Sequence, residues 1–195
     1  MRVLILQGSP RKKGNTETLC HAMAKTLSGQ MVEVETVRLA EKKIGGCLEC
    51  FACQKTQDAP GCAQNDDMNA VYERILSADA VIIATPVFCW CMSAQTRLAL
   101  DRFYAFCKFN FPKEDGSYAC LIEGKRFGLV VTAGGGPYDG AELCVASYRA
   151  LAEFMRLDNR GEFVAAPAGT PEQLRADRNL LTRAEEFAQN LLRQS

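Results

Sequence analysis

Met1-Arg2-Val3-Leu4-Ile5-Leu6-Gln7-Gly8-Ser9-Pro10-Arg11-Lys12-Lys13-Gly14-Asn15-Thr16 is the stretch whose reading decides the fold. Met1 to Leu6 is a short apolar run suited to a strand buried on both faces. Leu19, Ala22, Met23 and Leu27 then recur at helical spacing, so a helix starts near Asn15 or Thr16. The loop between, Gly8–Thr16, holds hydroxyl, amide, glycine and basic residues and no acid. Backbone N–H groups at a helix N-terminus, with hydroxyls and cations beside them, bind a phosphate group. The helix dipole contributes only about 0.3–1 kcal/mol, so hydrogen bonds and Arg11 must carry most of the affinity. The bland alternative is a βα connection whose Gly and Asn serve turn geometry and capping alone.

Two familiar phosphate loops are excluded. Gly14 is followed by Asn15 and Thr16, so no lysine is placed as a nucleoside triphosphate loop requires. The spacing is not G-x-G-x-x-G either, and no acid sits at the distance expected for a ribose. Hydroxyls at Ser9 and Thr16, with the Asn15 amide, suit a terminal phosphate monoester better than a pyrophosphate.

Outward from this loop, strand and helix patterns alternate. Met31–Val37, Ala80–Thr85, Phe127–Thr132 and Gly161–Ala165 read as further strands, the first with a wetter face and near a sheet edge. Met68, Val71, Ile75 and Leu76 form a helical stripe behind Asp66-Asp67, acids well placed at a helix start. A helix from about Ser93 continues through Ala94, Leu98 and Asp101–Phe106, and Leu143, Ser147, Leu151 and Phe154 mark another. Thr170-Pro171-Glu172-Gln173 is a capping box that opens a last helix carrying Leu174, Leu181, Ala184, Ala188 and Leu191. This alternation predicts an α/β fold: a doubly wound, five-stranded parallel sheet with helices on both faces. Ligands of such sheets bind outside the carboxyl ends of the strands. Gly8–Thr16, Pro86–Met92 and Ala133–Asp139 fall there and are rich in Gly, Pro or aromatics rather than in acids or His. Together they suit a flat, uncharged body attached to a phosphate. Phe88, Cys89, the lone Trp90, Cys91 and Met92 offer polarizable faces to a planar ring; the alternative is that Phe88 and Trp90 plug the sheet end or cover a dimer interface.

Composition sets the outer bounds. The 195 residues are expected to form one domain over 1–195, with a cysteine-rich loop at 45–66 and an excursion at 107–125. Its 23 basic residues balance 23 acidic ones, which gives no support to a nucleic-acid or anionic-membrane surface. No apolar run approaches the roughly 18 residues of a membrane span, and Met1–Leu6 is too short for a signal peptide. The expected location is the cytoplasm, where ten cysteines are core thiols, metal ligands or redox groups rather than structural disulfides.

The motifs taken in order are similar to one family. GSPRKKGNT after the first strand, Asp66-Asp67-Met68, ATPVF before a helix holding Ser93-Ala94-Gln95 and Asp101-Arg102, and TAGGG after the fourth strand resemble the NAD(P)H-dependent FMN reductases of flavodoxin-like fold. The likeness is strongest to the branch called iron–sulfur flavoproteins and runs over nearly the whole chain. The resemblance implies that Ser9, Arg11, Gly14, Asn15 and Thr16 hold the FMN phosphate. It implies that Pro86, Val87, Phe88, Cys89 and Trp90 line the isoalloxazine, and that Thr132, Gly134, Gly135 and Gly136 close its other edge. It further implies a homodimer or homotetramer with the flavin near a subunit interface.

Cys47, Cys50, Cys53 and Cys62 give C-x₂-C-x₂-C-x₈-C. Three thiols within seven residues resemble a 4Fe–4S half-site, whose loop cysteines reach successive corners of one cube. Structural zinc more often uses two separated C-x-x-C knuckles. The iron–sulfur flavoproteins carry such a run ahead of the Asp66-Asp67-Met68 helix, with a shorter gap before the fourth cysteine. A 4Fe–4S cluster, a metal-free loop of reduced or reactive thiols, and zinc remain the three readings. Cys20 and Cys144 fall in helix patterns as small core residues. Cys89 and Cys91 either touch the ligand or fill space. Cys107 and Cys120 flank the excursion. His21, the only histidine, reads as an ordinary helix residue, and the lack of any other removes Cys–His and Ser–His hydrolytic designs.

The expected function is an FMN-dependent oxidoreductase whose chemistry the flavin carries, with no catalytic side chain required. Electrons would come from NAD(P)H or a redox protein and go to a small-molecule or ferredoxin-like acceptor, with a 4Fe–4S cluster as one route. Two other classes stand beside it: a flavodoxin-like electron carrier, which the neutral charge disfavours, and a metal- or redox-sensing binding module.

Overall fold

Val3, Leu4, Ile5 and Leu6 are each at most 1% exposed, as a strand covered on both faces requires. The structure is a computed structural model and describes residues 1–193. In chain order its first half comprises β1 (Arg2–Gln7), α1 (Asn15–Ser28), β2 (Glu33–Arg38), α2 (Met68–Ser77), β3 (Ala80–Phe88), β4 (Cys91–Met92) and α3 (Ala94–Asp101). There follow β5 (Cys107–Pro112), β6 (Tyr118–Cys120), β7 (Arg126–Thr132), α4 (Glu142–Phe154), β8 (Asp158–Ala165), α5 (Pro171–Ala176) and α6 (Arg178–Asn190). The main sheet runs β2-β1-β3-β7-β8 with every one of these pairs parallel. This is the strand order of the flavodoxin-like arrangement, and β2 takes an edge as its mixed pattern predicts.

Alternate residues of the central strands divide the core in two. Val3, Ile5, Ala80, Ile82 and Val130 pack with Leu19, Met23 and Leu27 of α1 and with Ala184 and Ala188 of α6. Leu4, Leu6, Val81, Ile83 and Leu129 pack on the other face with Val71 and Ile75 of α2, Ala99 of α3 and Tyr148 of α4. Helices therefore cover both faces, which leaves the loops at the strand ends free to carry ligands.

Several local readings are corrected. The sheet gains a short antiparallel strand, β4, paired with the end of β3, and β5 and β6 form a separate hairpin. Strand β8 begins three residues before Gly161, where a glycine at φ +97° accompanies a register shift against β7. The helix from Ser93 does not continue as α-helix to Phe106; α3 ends at Asp101 and Arg102–Phe106 tightens to a 3₁₀ turn. The tightening turns Arg102, Phe103 and Phe106 inward, all three buried. The stripe of α4 is displaced by one residue: Cys144, Tyr148 and Ala152 face the core, while Leu143 and Phe154 are exposed. The last helix is two. Asp177 leaves helical geometry and its carboxylate accepts the Leu180 N–H at 2.9 Å, so it caps α6 separately.

Candidate functional site

The loop after β1 meets the N-terminus of α1 as the sequence predicts. Gly14 stands at the N-cap with extended backbone and has no side chain to cap the helix, so the first-turn N–H groups are left for a ligand. The neighbouring loops are tied to this point. The Thr16 and Thr132 hydroxyls, both buried, are hydrogen-bonded at 2.7 Å across the ends of α1 and β7. Asn15 Nδ2 donates to the Gly169 carbonyl beyond β8 at 2.9 Å. Ser93 Oγ donates to the Gly8 carbonyl at 2.7 Å, and Ser93 N–H donates to Thr85 Oγ1 at 3.0 Å. A Cβ on Gly8 would stand 1.8 Å from Thr96 Oγ1, so this close approach demands glycine.

These ties frame a cleft at the carboxyl ends of β1, β3, β7 and β8. Its inner part, about 130 Å³, is lined by Ser9, Arg11, Gly14, Asn15 and Thr16 on one side and by Pro86, Val87, Phe88, Thr132 and Gly134 on the other. An outer part of about 260 Å³ shares Val87 and Gly134 and adds Cys89, Trp90 and Gly135. Cys89 and Cys91 are both exposed rather than used as filler, and of the two only Cys89 lines the cleft. Cys89 and Trp90 take φ of +48° and +59° as the two central residues of the β3–β4 hairpin. Asn-Gly is the usual occupant of such a turn; a bulky residue there costs about 1–3 kcal/mol. The strained turn projects the indole over the cleft mouth, where Trp90 Nε1 donates to Asp139 Oδ1 at 2.9 Å. Gly140, at φ +98°, allows the close approach from below, since a Cβ there would lie 2.8 Å from Trp90 Cα.

A second cavity, about 360 Å³, lies beyond the sheet, and Cys47, Cys50, Cys53 and Cys62 all line it. The turns at Glu49 and Phe51 have φ of +51° and +55°, and they alternate with the three loop cysteines. Three of the four sulfurs accept hydrogen bonds: Cys47 from Glu49 N–H at 3.4 Å, Cys53 from Gln54 Nε2 at 3.5 Å, and Cys62 from Arg102 Nη2 at 3.1 Å. Among the described residues no three Cys, His, Asp or Glu side chains converge as donors to a single ion; the sulfurs ring the cavity instead.

Arg102 organises this region. Its side chain is 1% exposed, and Nη1 donates to Asp66 Oδ2 at 2.8 Å and to the Gly45 carbonyl at 3.0 Å. Burial opposes ionisation of Asp66. The Arg102 hydrogen bonds and the N–H groups of Gly45 and Met68 outweigh it and hold the carboxyl below its usual value of 3.8. Burial likewise disfavours the Arg102 charge, and Asp66 more than restores it. Lys108, whose pKa burial lowers, donates from Nζ to the carbonyls of Cys53 at 2.9 Å and Pro60 at 3.2 Å.

A family model for the NADPH-dependent FMN reductases matches residues 1–189. The chain belongs to that family. Among curated relatives, an iron-sulfur flavoprotein of Methanocaldococcus jannaschii is 34% identical over 145 residues, 74% of this chain and 67% of its own length. One of Methanosarcina thermophila is 31% identical over 66% of each chain. A third, from Archaeoglobus fulgidus, is 35% identical over 54% of this chain and 47% of its own, so the match spans about half to two thirds of these relatives. Among solved structures, a NAD(P)H:quinone oxidoreductase from Methanothermobacter marburgensis superposes with TM-score 0.68 at 19% identity, covering 100% of this chain and 98% of the other. An FMN-dependent NADH-azoreductase of Bacillus anthracis, solved with FMN, gives 0.68 at 14% identity, covering 99% and 100%. These likenesses show the flavodoxin-like fold, and family membership makes the chain an FMN-reductase-type oxidoreductase.

For this FMN reductase family member, the structure brings every residue expected at the flavin to the two-part cleft except Gly136. Ala133 and Asp139, the ends of the third expected ligand loop, also line it, as do Ala168 and Gly169, which were missed. The last two lie in the loop after the fifth strand, which the strand-end rule covers but where Thr170 reads in the sequence only as part of a helix-capping box. The roles of Arg102, Gln54 and Lys108 around the cysteine cavity were missed, because nothing local distinguishes a buried polar side chain from a surface one. Asp66-Asp67 prove to be more than a helix start: Asp66 clamps Arg102 and Gly45, and Asp67 Oδ2 accepts the Lys43 N–H at 2.7 Å. His21 is exposed on α1, as an ordinary helix residue is.

Proposed function

We propose that this chain, as one flavodoxin-like domain, binds FMN in the strand-end cleft and passes electrons from NAD(P)H or a redox protein to a small-molecule or protein acceptor. The continuous two-part cleft carries this reading, because its inner end suits a phosphate and its outer end suits a planar ring. Held there, FMN would supply hydride and electron transfer. The residues present fit it. The uncapped N-terminus of α1, Ser9 and Thr16 would hold the phosphate, with Arg11 supplying the charge. Asn15 Oδ1 is buried without a partner among the described residues, an acceptor free for a hydroxyl of the ligand chain. A Cβ on Gly134 would project into open space within the cleft, where the ring needs room. Phe88 and Trp90 would cover the ring and exclude water, and Thr132, Gly134 and Gly135 would border its other edge. No side chain need move a proton.

The four cysteines would hold a 4Fe–4S cluster, which supplies single-electron transfer when present. Sulfurs spread around a cavity suit the corners of a cube better than one tetrahedral ion with donors at about 2.3 Å. Hydrogen bonds to the sulfurs and the Arg102 cation fit the negative charge of a thiolate-ligated cluster. Phe88, Trp90 and Tyr138 are 41%, 61% and 87% exposed at the cleft mouth, and a second copy of the chain would cover them in a homodimer or homotetramer. Among the described residues no helix is long and apolar enough to cross a membrane.

Anaerobic purification, with an absorbance spectrum and FMN and iron measured per chain, tests the reading. Stoichiometric FMN and about four irons are expected, with NAD(P)H oxidised when a quinone or ferricyanide is supplied. Absence of any affinity for added FMN would overturn the flavin assignment, and iron content unchanged in Cys50→Ser would overturn the cluster.

A further inference from the structure

Cys107 and Cys120 face each other on one rung of the β5–β6 hairpin. Next to that rung Leu121 N–H donates to the Phe106 carbonyl at 3.0 Å. The cysteine rung is therefore a non-hydrogen-bonded one, in which facing Cα atoms approach to about 4.5 Å. That spacing falls inside the roughly 4.4–6.8 Å window of disulfides. Both cysteines are free thiols, and they line neither the flavin cleft nor the cysteine cavity.

The two thiols are unequal. Cys107 is fully buried, whereas Cys120 is partly exposed. A hydrogen bond from Cys107 lowers the pKa of Cys120, and the same bond with burial raises that of Cys107. Arg156 stands beside them, its guanidinium 4.3 Å from the Tyr118 ring centroid and its Nη2 donating to the Tyr118 carbonyl. An accessible thiolate backed by a buried thiol within reach is the arrangement that converts oxidation into a disulfide rather than into higher acids.

We propose that Cys107 and Cys120 form a redox-active dithiol that reduces hydroperoxides, with Cys120 as the attacking sulfur and Cys107 as the resolving one. The Cys120 thiolate attacks one peroxide oxygen, the O–O bond breaks, and sulfenic acid forms as hydroxide leaves and takes up a proton. Cys107 sulfur then displaces the sulfenic oxygen as water, and its proton leaves with that water. Two thiols lose two electrons and two protons in all, and one hydrogen peroxide becomes two waters.

The disulfide would form on the strand that seats the cysteine loop. Gln54 Nε2 donates to the Cys107 carbonyl at 2.8 Å, and Lys108 Nζ to the Cys53 carbonyl. Oxidation of the rung thus stiffens the support under Cys53 without consuming a cavity cysteine. The assignment stands whether or not the cavity holds a cluster.

Tryptic mapping decides it, because residues 103–108 and 114–125 each carry a single cysteine. The anaerobically purified protein is treated with one equivalent of hydrogen peroxide, alkylated and digested. A peptide joining 103–108 to 114–125, two hydrogens lighter than their sum, is expected as the main product. In Cys107→Ser, dimedone should label Cys120; in Cys120→Ser, Cys107 should stay alkylatable. Disulfides confined to residues 47–62, or alkylation of both rung cysteines after peroxide, would overturn the proposal. Should either variant fail to fold, the map of the unaltered chain decides alone.

Discussion

The strand-end cleft hangs from β1, β3, β7 and β8, whose ladders set the position of each loop before any side chain acts. Residues 42–66, around the cysteine cavity, contain one short 3₁₀ turn at Ala52–Lys55 and no strand or α-helix. There the chain is held by side-chain contacts with the rest of the fold: Arg102 reaches in to Asp66 and Gly45, Lys108 reaches in to Cys53 and Pro60, and Gln54 reaches out to the Cys107 carbonyl. One region is therefore robust to the loss of a single side chain, and the other depends on very few.

Arg102→Met should separate the two most sharply. It leaves Asp66 without its cation, and breaking a buried pair costs about 3–5 kcal/mol. Iron content should collapse and proteolysis should appear within residues 42–66 while FMN stays bound; equal loss of both would erase the distinction. Gly8→Ala strikes the other side, because its Cβ meets Thr96 Oγ1. A penalty of about 2 kcal/mol is expected from the forced shift, read as a lowered melting temperature with weaker FMN binding and iron content retained. Arg11→Ala should raise the FMN dissociation constant about tenfold, the loss of one charge-assisted hydrogen bond, with iron unchanged. Calorimetric titration of the flavin-free protein measures it, and an unaltered constant would remove Arg11 from the phosphate site.

The smallest effect is a pH dependence. The folded-state pKa of Asp66 lies below its unfolded value, so its stabilisation is present above the unfolded pKa and lost as pH falls through the folded one. The melting-temperature gap between the parent chain and Asp66→Asn should be full at pH 6 and shrink towards pH 3. A gap that widens on acidification would contradict this sign.

The legible parts of the molecule were those with local signatures. The β1–α1 loop showed its glycines, hydroxyls and helix start within nine residues, and the aromatic turn showed itself as a cluster. The stripe of α4 misled because Leu143 and Phe154 are apolar yet exposed, while small Cys144 and Ala152 face the core. Phe154 instead joins Tyr118 and Phe109 in an aromatic group over the hairpin. The Cys107–Cys120 rung was visible only as two cysteines flanking an excursion, since hairpin register is set by pairing rather than by composition.

By itself the sequence determined the alternation of strands and helices, the strand-end position of three ligand loops and the chemistry available at each. Those follow from periodicity and turn chemistry, which act over a few residues. Only the tertiary structure decided which side chains meet across long separations: Asp66 with Arg102, Cys53 with Lys108, Thr16 with Thr132, and Cys107 with Cys120. Burial removes water as the competing partner and makes those meetings count, and burial belongs to the folded chain as a whole.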